Sequence, residues 1–252
     1  MLRRISLILF ALVFLIGLGI LLYPTINGAI IDDAIKSDAD AFISNESTEK
    51  DDVLPENNIP YAELRAEMQR YNASLHNTQE QLLRNVNDYI EPSFVLTDYG
   101  TADEIFGVVE IPKLDVSLPI YLGASEANMA KGAVHMSQTS LPIGGENTNA
   151  VIAAHRGWNG ASYFLHINKL ACGDIVTVTN LWETLTYEVT EIRLIAPNDV
   201  KAIYIQECKE LLTLMSCHPV GSGGKQRYLV FCERIEMEEL SGTTDEYRVQ
   251  DH

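Results

Sequence analysis

The chain has 252 residues and a formal net charge of −17 at pH 7. This charge argues against nucleic-acid binding, because contact with phosphates needs a basic surface. The net negative charge is concentrated in two flanks: residues 32–56 hold nine acidic and two basic side chains, and residues 236–252 hold six acidic side chains and one arginine. We expect both flanks to be solvated. The part of the chain between them is much closer to neutral and is long enough for one globular domain.

The N-terminal segment is apolar and uncharged from residue 5 to residue 23, apart from Ser6. A helix of that length spans about 30 Å, the thickness of a bilayer core. Arg3 and Arg4 precede it and acidic residues follow, so the positive-inside rule predicts a cytoplasmic N-terminus and an external remainder. A cleaved signal peptide is the alternative, but its apolar core is usually shorter. We therefore expect an uncleaved transmembrane anchor over residues 1–31.

Two further segments separate the anchor from the main domain. Residues 32–60 are acidic and poor in large apolar side chains, which predicts a linker, with a short helix continuing from the membrane as an open alternative. From Tyr61 to Tyr89 the apolar residues recur at steps of three, four and seven, which is helical spacing. Residues 61–101 are thus predicted to be a helical region, divided in two near Asn72, that packs on the domain after it.

The main domain is predicted to be mostly β, with short strands separated by turn signals. The predicted strands are residues 105–111, 116–121, 149–155, 174–179, 184–195, 210–217 and 227–235. Helices are predicted over residues 125–131, capped by Ser125, and over residues 162–170. Many short strands of this kind favour a closed barrel, here over residues 102–236. Residues 237–252 form an acidic, polar tail that contains no second apolar span.

Three side chains at predicted strand ends are suited to acyl transfer through a thioester: Cys217, His155 and Arg227. The thiol is the nucleophile, the imidazole transfers protons, and the guanidinium donates hydrogen bonds to a carbonyl oxygen that gains negative charge. His218 is the competing histidine, but side chains alternate along a strand, so it is expected to point away from Cys217. Lys225 is the alternative to Arg227 as the hydrogen-bond donor to the carbonyl oxygen. A purely structural ion pair is the plainer interpretation of Arg227 itself.

The remaining cysteines suggest no metal site and no cofactor. Cys172, Cys208 and Cys232 lack the Cys-x-x-Cys spacing of zinc and redox sites, and the chain carries no phosphate-binding loop. We expect these three to be small structural side chains, because free cysteine is commonly buried.

Three sequence blocks resemble a known family. Residues 213–217 (Thr-Leu-Met-Ser-Cys) resemble the Thr-Leu-x-Thr-Cys signature of sortases, with Ser216 replacing the usual threonine. Residues 140–147 (Ser-Leu-Pro-Ile-Gly-Gly-Glu-Asn), followed by residues 154–157 (Ala-His-Arg-Gly), resemble the pilus-assembling subgroup called class C. The resemblance extends from about residue 106 to residue 235. It implies a closed eight-stranded β-barrel with the site at one mouth, and His155, Cys217 and Arg227 as its catalytic residues.

The resemblance also implies an activity and a location. Cys217 would cleave a Leu-Pro-x-Thr-Gly-type sorting signal between Thr and Gly, and a lysine amine of the next pilin subunit would resolve the thioacyl-enzyme. The partners are pilin or surface-protein sorting signals and an amine nucleophile, and the catalytic domain lies outside the cell membrane. Three alternatives stay open: a sortase that anchors proteins to the cell-wall cross-bridge, an L,D-transpeptidase, whose Ser-x-Gly-Cys motif differs from the sequence here, and a catalytically idle, membrane-tethered binding module.

Pilus sortases carry a lid over the nucleophile with an Asp-Pro-aromatic motif, which this sequence lacks. The nearest residues are Asp88 and Tyr89, then Glu91 and Phe94, in a loop-like segment before the first barrel strand. The aromatic rings are candidates to fill an apolar cleft, and either carboxylate is a candidate partner for Arg227. A plain connector whose aromatic residues pack on the barrel wall is the alternative.

Overall fold

The fold is a closed eight-stranded barrel preceded by two long helices. The structure, a computed structural model, describes residues 2–51, 59–82 and 89–236. The helices are α1 (Leu2–Asp51), α2 (Ala62–Leu82) and α3 (Glu126–Lys131). The strands are β1 (Ile105–Ile111), β2 (Val116–Leu122), β3 (Ala133–His135), β4 (Thr148–Ala153), β5 (Ile175–Asn180), β6 (Thr184–Ile195), β7 (Glu210–His218) and β8 (Gln226–Arg234).

Around the barrel the strands follow the order β1-β2-β3-β4-β7-β8-β6-β5. The β2–β3 and β4–β7 pairs are parallel, and the other pairs are antiparallel. The predicted closed barrel of eight strands is thus confirmed, and the capping of α3 is as predicted, since Ser125 accepts a hydrogen bond from the Asn128 amide at 3.2 Å. The three-residue strand β3 was not predicted, because it is too short to show an alternating pattern.

The first helix extends far beyond the predicted anchor. Its N-terminal part is apolar and exposed and is long enough to cross a membrane. The linker predicted over residues 32–60 is wrong up to Asp51, because the helix continues to that residue and buries Ile35, Ala39 and Phe42 in the main core. These residues are spaced by four and three positions, so they form one helical stripe that the acidic composition of the segment conceals.

Two other helix predictions are wrong. Helix α2 is continuous through Asn72, whose buried amide donates to the Leu141 carbonyl at 3.0 Å and accepts from the Leu141 N–H at 2.8 Å. These bonds to the barrel satisfy a side chain that would otherwise favour a helix end. The predicted helix over residues 162–170 is instead a series of turns that ends in the 3₁₀ helix Ile167–Lys169. The C-terminal tail, residues 237–252, lies outside the described residues.

Among the residues that the structure describes, the buried apolar side chains form two clusters. The larger one includes Ile152, Leu214 and Val230, together with side chains from α1 and α2. The smaller one includes alternate residues of the same strands, which therefore lie on the opposite, outer face of the barrel. We call this set the apolar strip: Val151 on β4, Met215 on β7, and Leu229 and Phe231 on β8. The strip continues along the strands towards Cys217.

Candidate active site

Cys217 and Arg227 are a directly opposed pair on the antiparallel strands β7 and β8. Cross-strand partners share a face, so the thiol and the guanidinium lie side by side on the outer face of the barrel. Arg227 Nη1 donates to the carbonyl of Gly224 at 2.8 Å and to that of Gln226 at 3.3 Å. Within the described part of the chain its Nε and Nη2 groups form no hydrogen bond, so they are available to a carbonyl oxygen of a ligand.

The loop between β7 and β8 folds back over this pair. A Cβ atom on Gly224 would lie 2.8 Å from Arg227 Nη1 and 3.3 Å from Cys217 Sγ. The φ of Gly224 is +79°, a conformation that other residues rarely adopt. Glycine at this position therefore lets the loop backbone approach both side chains, while the competing Lys225 lies exposed before β8 begins.

His155 follows β4, which pairs in parallel with β7. Ala153 is opposite Met215, and the ladder extends one residue further because the Ala154 N–H donates to the Met215 carbonyl at 3.2 Å. The strand β4 ends at Ala153, and extending its register by two residues would place His155 next to Cys217 on the same face of the barrel. The half-buried imidazole stacks on Trp158, with ring centroids 5.2 Å apart, and meets the edge of Tyr163 at 5.6 Å.

Burial lowers the pKa of His155 below its ordinary value near 6.5. The imidazole is therefore neutral at neutral pH and can accept a proton from a thiol beside it. Two other histidines are less suited to this task. His218 contacts Tyr228 at a centroid distance of 5.8 Å and lies opposite Gln226, so it faces away from Cys217, as the alternation of side chains predicts. His135 is completely buried, which lowers its pKa to about 4.

Arg156 is buried and makes several contacts in this region that the sequence did not predict. Its position next to His155 indicates an exposed strand end, yet its side chain is only 7% exposed. Its guanidinium donates to the Leu165 carbonyl at 2.9 Å, the Asn168 side chain at 2.7 Å and the Cys217 carbonyl at 3.4 Å. It also stacks over Tyr228 at 5.2 Å. Arg156 thus ties the loop after His155 to the strand that carries the thiol.

The four candidate lid residues have different positions. Tyr89 is 4% exposed and packs on the apolar strip, and its carbonyl accepts a hydrogen bond from Ala124 at 2.8 Å. Phe94 instead packs on Tyr71 and Tyr99 beside helix α2, with centroids 5.7 and 6.5 Å apart, so the prediction that it fills the cleft at the thiol is wrong.

The structure describes only one of the two carboxylates that were predicted to pair with Arg227. The Glu91 side chain is exposed and pairs with no cation within the described residues, whereas its backbone carbonyl accepts a hydrogen bond from Ser137. Asp88 lies outside those residues. A pair between Glu91 and Arg227 is therefore wrong for this structure, and Tyr89 is the one described candidate that lies over the strip.

The four cysteines are all free, and they differ in accessibility. Cys232 is buried, which raises the pKa of its thiol. Cys172 and Cys208 are exposed, so the expectation of buried structural side chains is wrong for both. Any thiol reagent applied to Cys217 will also meet these two side chains. The described residues contain no group of three or more histidine, cysteine or carboxylate side chains placed to hold a metal ion.

Comparison with known proteins gives the family. The model of the sortase domain matches residues 109–235, half of the chain, so the chain belongs to the sortase family. The chain is 30% identical to sortase D of Bacillus subtilis over 132 residues, which are 51% of this chain and 63% of that protein. It is 30% identical to sortase A of Streptococcus agalactiae over 56% of this chain and 57% of that protein. It thus spans less than two thirds of the length of either relative.

The solved structures that resemble this chain are class C sortases, the pilus sortases. Sortase C-1 from Streptococcus pneumoniae has a TM-score of 0.66 at 31% identity, with 79% of this chain and 98% of that chain covered. The pilus-related sortase C of Group B Streptococcus has a TM-score of 0.61 at 32% identity, with 69% and 88% covered. The resemblance noted in the sequence is therefore confirmed. Members of the family are cysteine transpeptidases that act on sorting signals.

Proposed function

We propose that this sortase polymerises pilins: it cleaves a Leu-Pro-x-Thr-Gly-type signal between Thr and Gly and joins the threonine to a lysine amine of another subunit. The observation that carries the proposal is the position of Cys217 opposite Arg227 at the end of the apolar strip, with His155 two residues beyond the end of the strand β4 that pairs with β7. Similarity to sortase C structures supports the pilus role.

The proposed reaction uses each of the three side chains. Cys217 Sγ attacks the threonine carbonyl carbon while His155 takes the thiol proton, and Arg227 donates hydrogen bonds to the oxyanion. The Thr–Gly bond then breaks, and His155 returns the proton to the departing glycine amine. A lysine amine attacks the thioester, loses a proton to His155 and expels the sulfur, which regains that proton. The products are an isopeptide bond and the free thiol.

The test is to mix the enzyme with candidate pilins and to look for a covalent ladder on a denaturing gel. We expect a ladder that disappears when the acceptor lysines are replaced by arginine. A different observation favours a second function, since the relatives identified by sequence include sortases A and D. Anchoring to the cell wall would yield pilin or surface protein linked to a cross-bridge amine, and no ladder.

We further propose that α1 anchors the enzyme with its catalytic domain outside the cell. The helix is apolar and exposed over its N-terminal part, and Arg3 and Arg4 precede that part. A protease added to intact cells should therefore digest the barrel, and a reporter fused after His252 should be reached from outside. Protection of the barrel until the membrane is permeabilised would contradict this orientation.

The lid proposal now centres on Tyr89. We expect Tyr89→Ala to speed the modification of Cys217 by a small thiol reagent, in a Cys172→Ala, Cys208→Ala background. Removing about 1.4 kcal/mol of the stabilisation that burial of the Tyr89 ring gives to the closed lid would raise the population of the open lid roughly tenfold. Phe94→Ala is the matched control: it should lower the melting temperature and leave the reactivity of the thiol unchanged. Unaltered reactivity of Tyr89→Ala together with a lower melting temperature would favour the plain connector.

A further inference from the structure

The end of the apolar part of α1 lies directly against the loop that follows His155. A Cβ atom on Gly28 would overlap the carbonyl oxygen of Gly160, and one on Gly160 would overlap the Pro24 carbonyl oxygen and lie 3.2 Å from Gly28 Cα. These neighbours are backbone atoms, which cannot rotate away as a flexible side chain can. Helix and loop therefore approach this closely only because both contact positions are glycine.

Two polar contacts flank the glycine pair. The Asn27 amide donates to the Asn159 carbonyl at 3.0 Å. The Asp32 carboxylate accepts hydrogen bonds from Ser162, from its N–H at 2.9 Å and from its hydroxyl at 3.2 Å. Residues 24–32 of α1 thus hold the loop at Asn159 and again at Ser162, on the two sides of the glycine contact.

The same loop supplies the surroundings of His155. Trp158 closes a turn with Ala161 through hydrogen bonds of 3.1 and 2.9 Å, and its ring stacks on the imidazole. Tyr163 contacts the imidazole edge-on, and the Phe164 N–H donates to the His155 carbonyl at 3.0 Å. The residues that contact the imidazole therefore lie on a loop that α1 holds in place.

We propose that residues 24–32 of the anchor helix position His155 for catalysis through this loop, with Asn27, Gly28 and Asp32 as positioning residues. The inference rests on the proposed role of His155 as the proton-transfer group. A misplacement of about 1 Å in a reacting group can cost on the order of a hundredfold in rate. A shift of the loop that carries Trp158 and Tyr163 would move or tilt the imidazole by such an amount.

The test compares Gly28→Ala with Gly19→Ala in the full chain in detergent micelles. A Cβ atom on Gly19 meets nothing within 4 Å, so this variant makes the same change in the same helix without the contact. Alanine favours a helix over glycine, so helix propensity cannot explain a loss. We expect Gly28→Ala to lower kcat for a sorting peptide by at least about tenfold with KM within about twofold. Gly19→Ala should match the unaltered enzyme.

A second readout needs no substrate. In a Trp182→Phe background Trp158 is the remaining tryptophan, and protonation of the stacked imidazole should quench its fluorescence. The midpoint of this pH titration should lie below the ordinary histidine value, because burial lowers the pKa of His155. Gly28→Ala should move the midpoint towards about 6.5 and reduce the amplitude. If Trp182→Phe fails to fold, ¹⁹F NMR of 5-fluorotryptophan-labelled protein resolves the two tryptophans.

Two variants of Asp32 distinguish a positioning role from a general effect on stability. Asp32→Asn keeps an oxygen that can accept the Ser162 N–H and should retain nearly full kcat, whereas Asp32→Ala should lose activity as Gly28→Ala does. Rates per titrated Cys217 thiol, measured with Cys172 and Cys208 replaced by alanine, exclude a loss of folded enzyme.

Equal kcat and equal titration curves for Gly28→Ala and Gly19→Ala would overturn the proposal. If the unaltered enzyme cleaves no sorting peptide, the proposed function fails, and the fluorescence titration still decides whether the helix positions His155.

Discussion

Cys217→Ala is expected to abolish both peptide cleavage and ladder formation, with a loss of more than about 10⁴-fold. The physical reason is that the acyl group must be held as a thioester between the two half-reactions. No other thiol has the required surroundings: Cys232 is buried, and Cys172 and Cys208 do not lie on β4, β7 or β8. Mass spectrometry of the enzyme incubated with substrate should detect an acyl adduct that is absent from the variant.

Cys208→Ala provides the matched control for this experiment. It also removes a thiol, but from an exposed position outside the barrel strands, and should leave the activity unchanged. Ladder formation by Cys217→Ala would contradict the thioester mechanism. Equal damage from both substitutions would point to a general effect of cysteine loss on the protein.

The second large effect is the difference in kcat/KM that we expect between His155→Ala and His218→Ala. His155→Ala should lower kcat/KM by at least about a hundredfold, which corresponds to about 2.7 kcal/mol of transition-state stabilisation. His218→Ala should be mild, because that ring packs on Tyr228 and faces away from the thiol. The measurement is peptide cleavage by the two purified variants, with melting temperatures recorded to show that both are folded.

His155→Gln adds a check on packing, because it retains a flat polar side chain beside Trp158 and Tyr163 without the imidazole. Activity of that variant near the level of the unaltered enzyme would show that the ring only fills space. A loss in His218→Ala as large as that in His155→Ala would show that the alternation of side chains along β7 does not decide which histidine serves the thiol.

Much of the site could be predicted from the sequence because its chemistry depends on local order along strands. Cys217, His155 and Arg227 each stand at or just beyond the end of a short apolar run. Alternation of side chains then separates Cys217 from its neighbour His218 without any knowledge of the fold. The catalytic roles of the three residues stay predictions, while their positions agree with that local argument.

The lid could not be predicted residue by residue. Tyr89 and Phe94 are five positions apart in one loop-like segment and look equivalent in the sequence. Tyr89 packs on the apolar strip and Phe94 packs beside α2, because the path of the backbone directs one ring towards each surface. A loop has no repeating geometry from which the direction of a side chain can be inferred, as it can in a strand or a helix.

By itself the sequence determined the apolar N-terminal helix, the approximate strands of the barrel and the side chains that are candidates for the reaction, since each depends on short-range periodicity or residue chemistry. Only the tertiary structure decided which surfaces meet. Asn27, Gly28 and Asp32 are 130 or more positions from the loop residues they contact, and nothing local marks either side of that contact. Arg156 likewise reaches the Cys217 carbonyl only when β4 pairs with β7, because contacts between distant segments arise from the packing of complete elements.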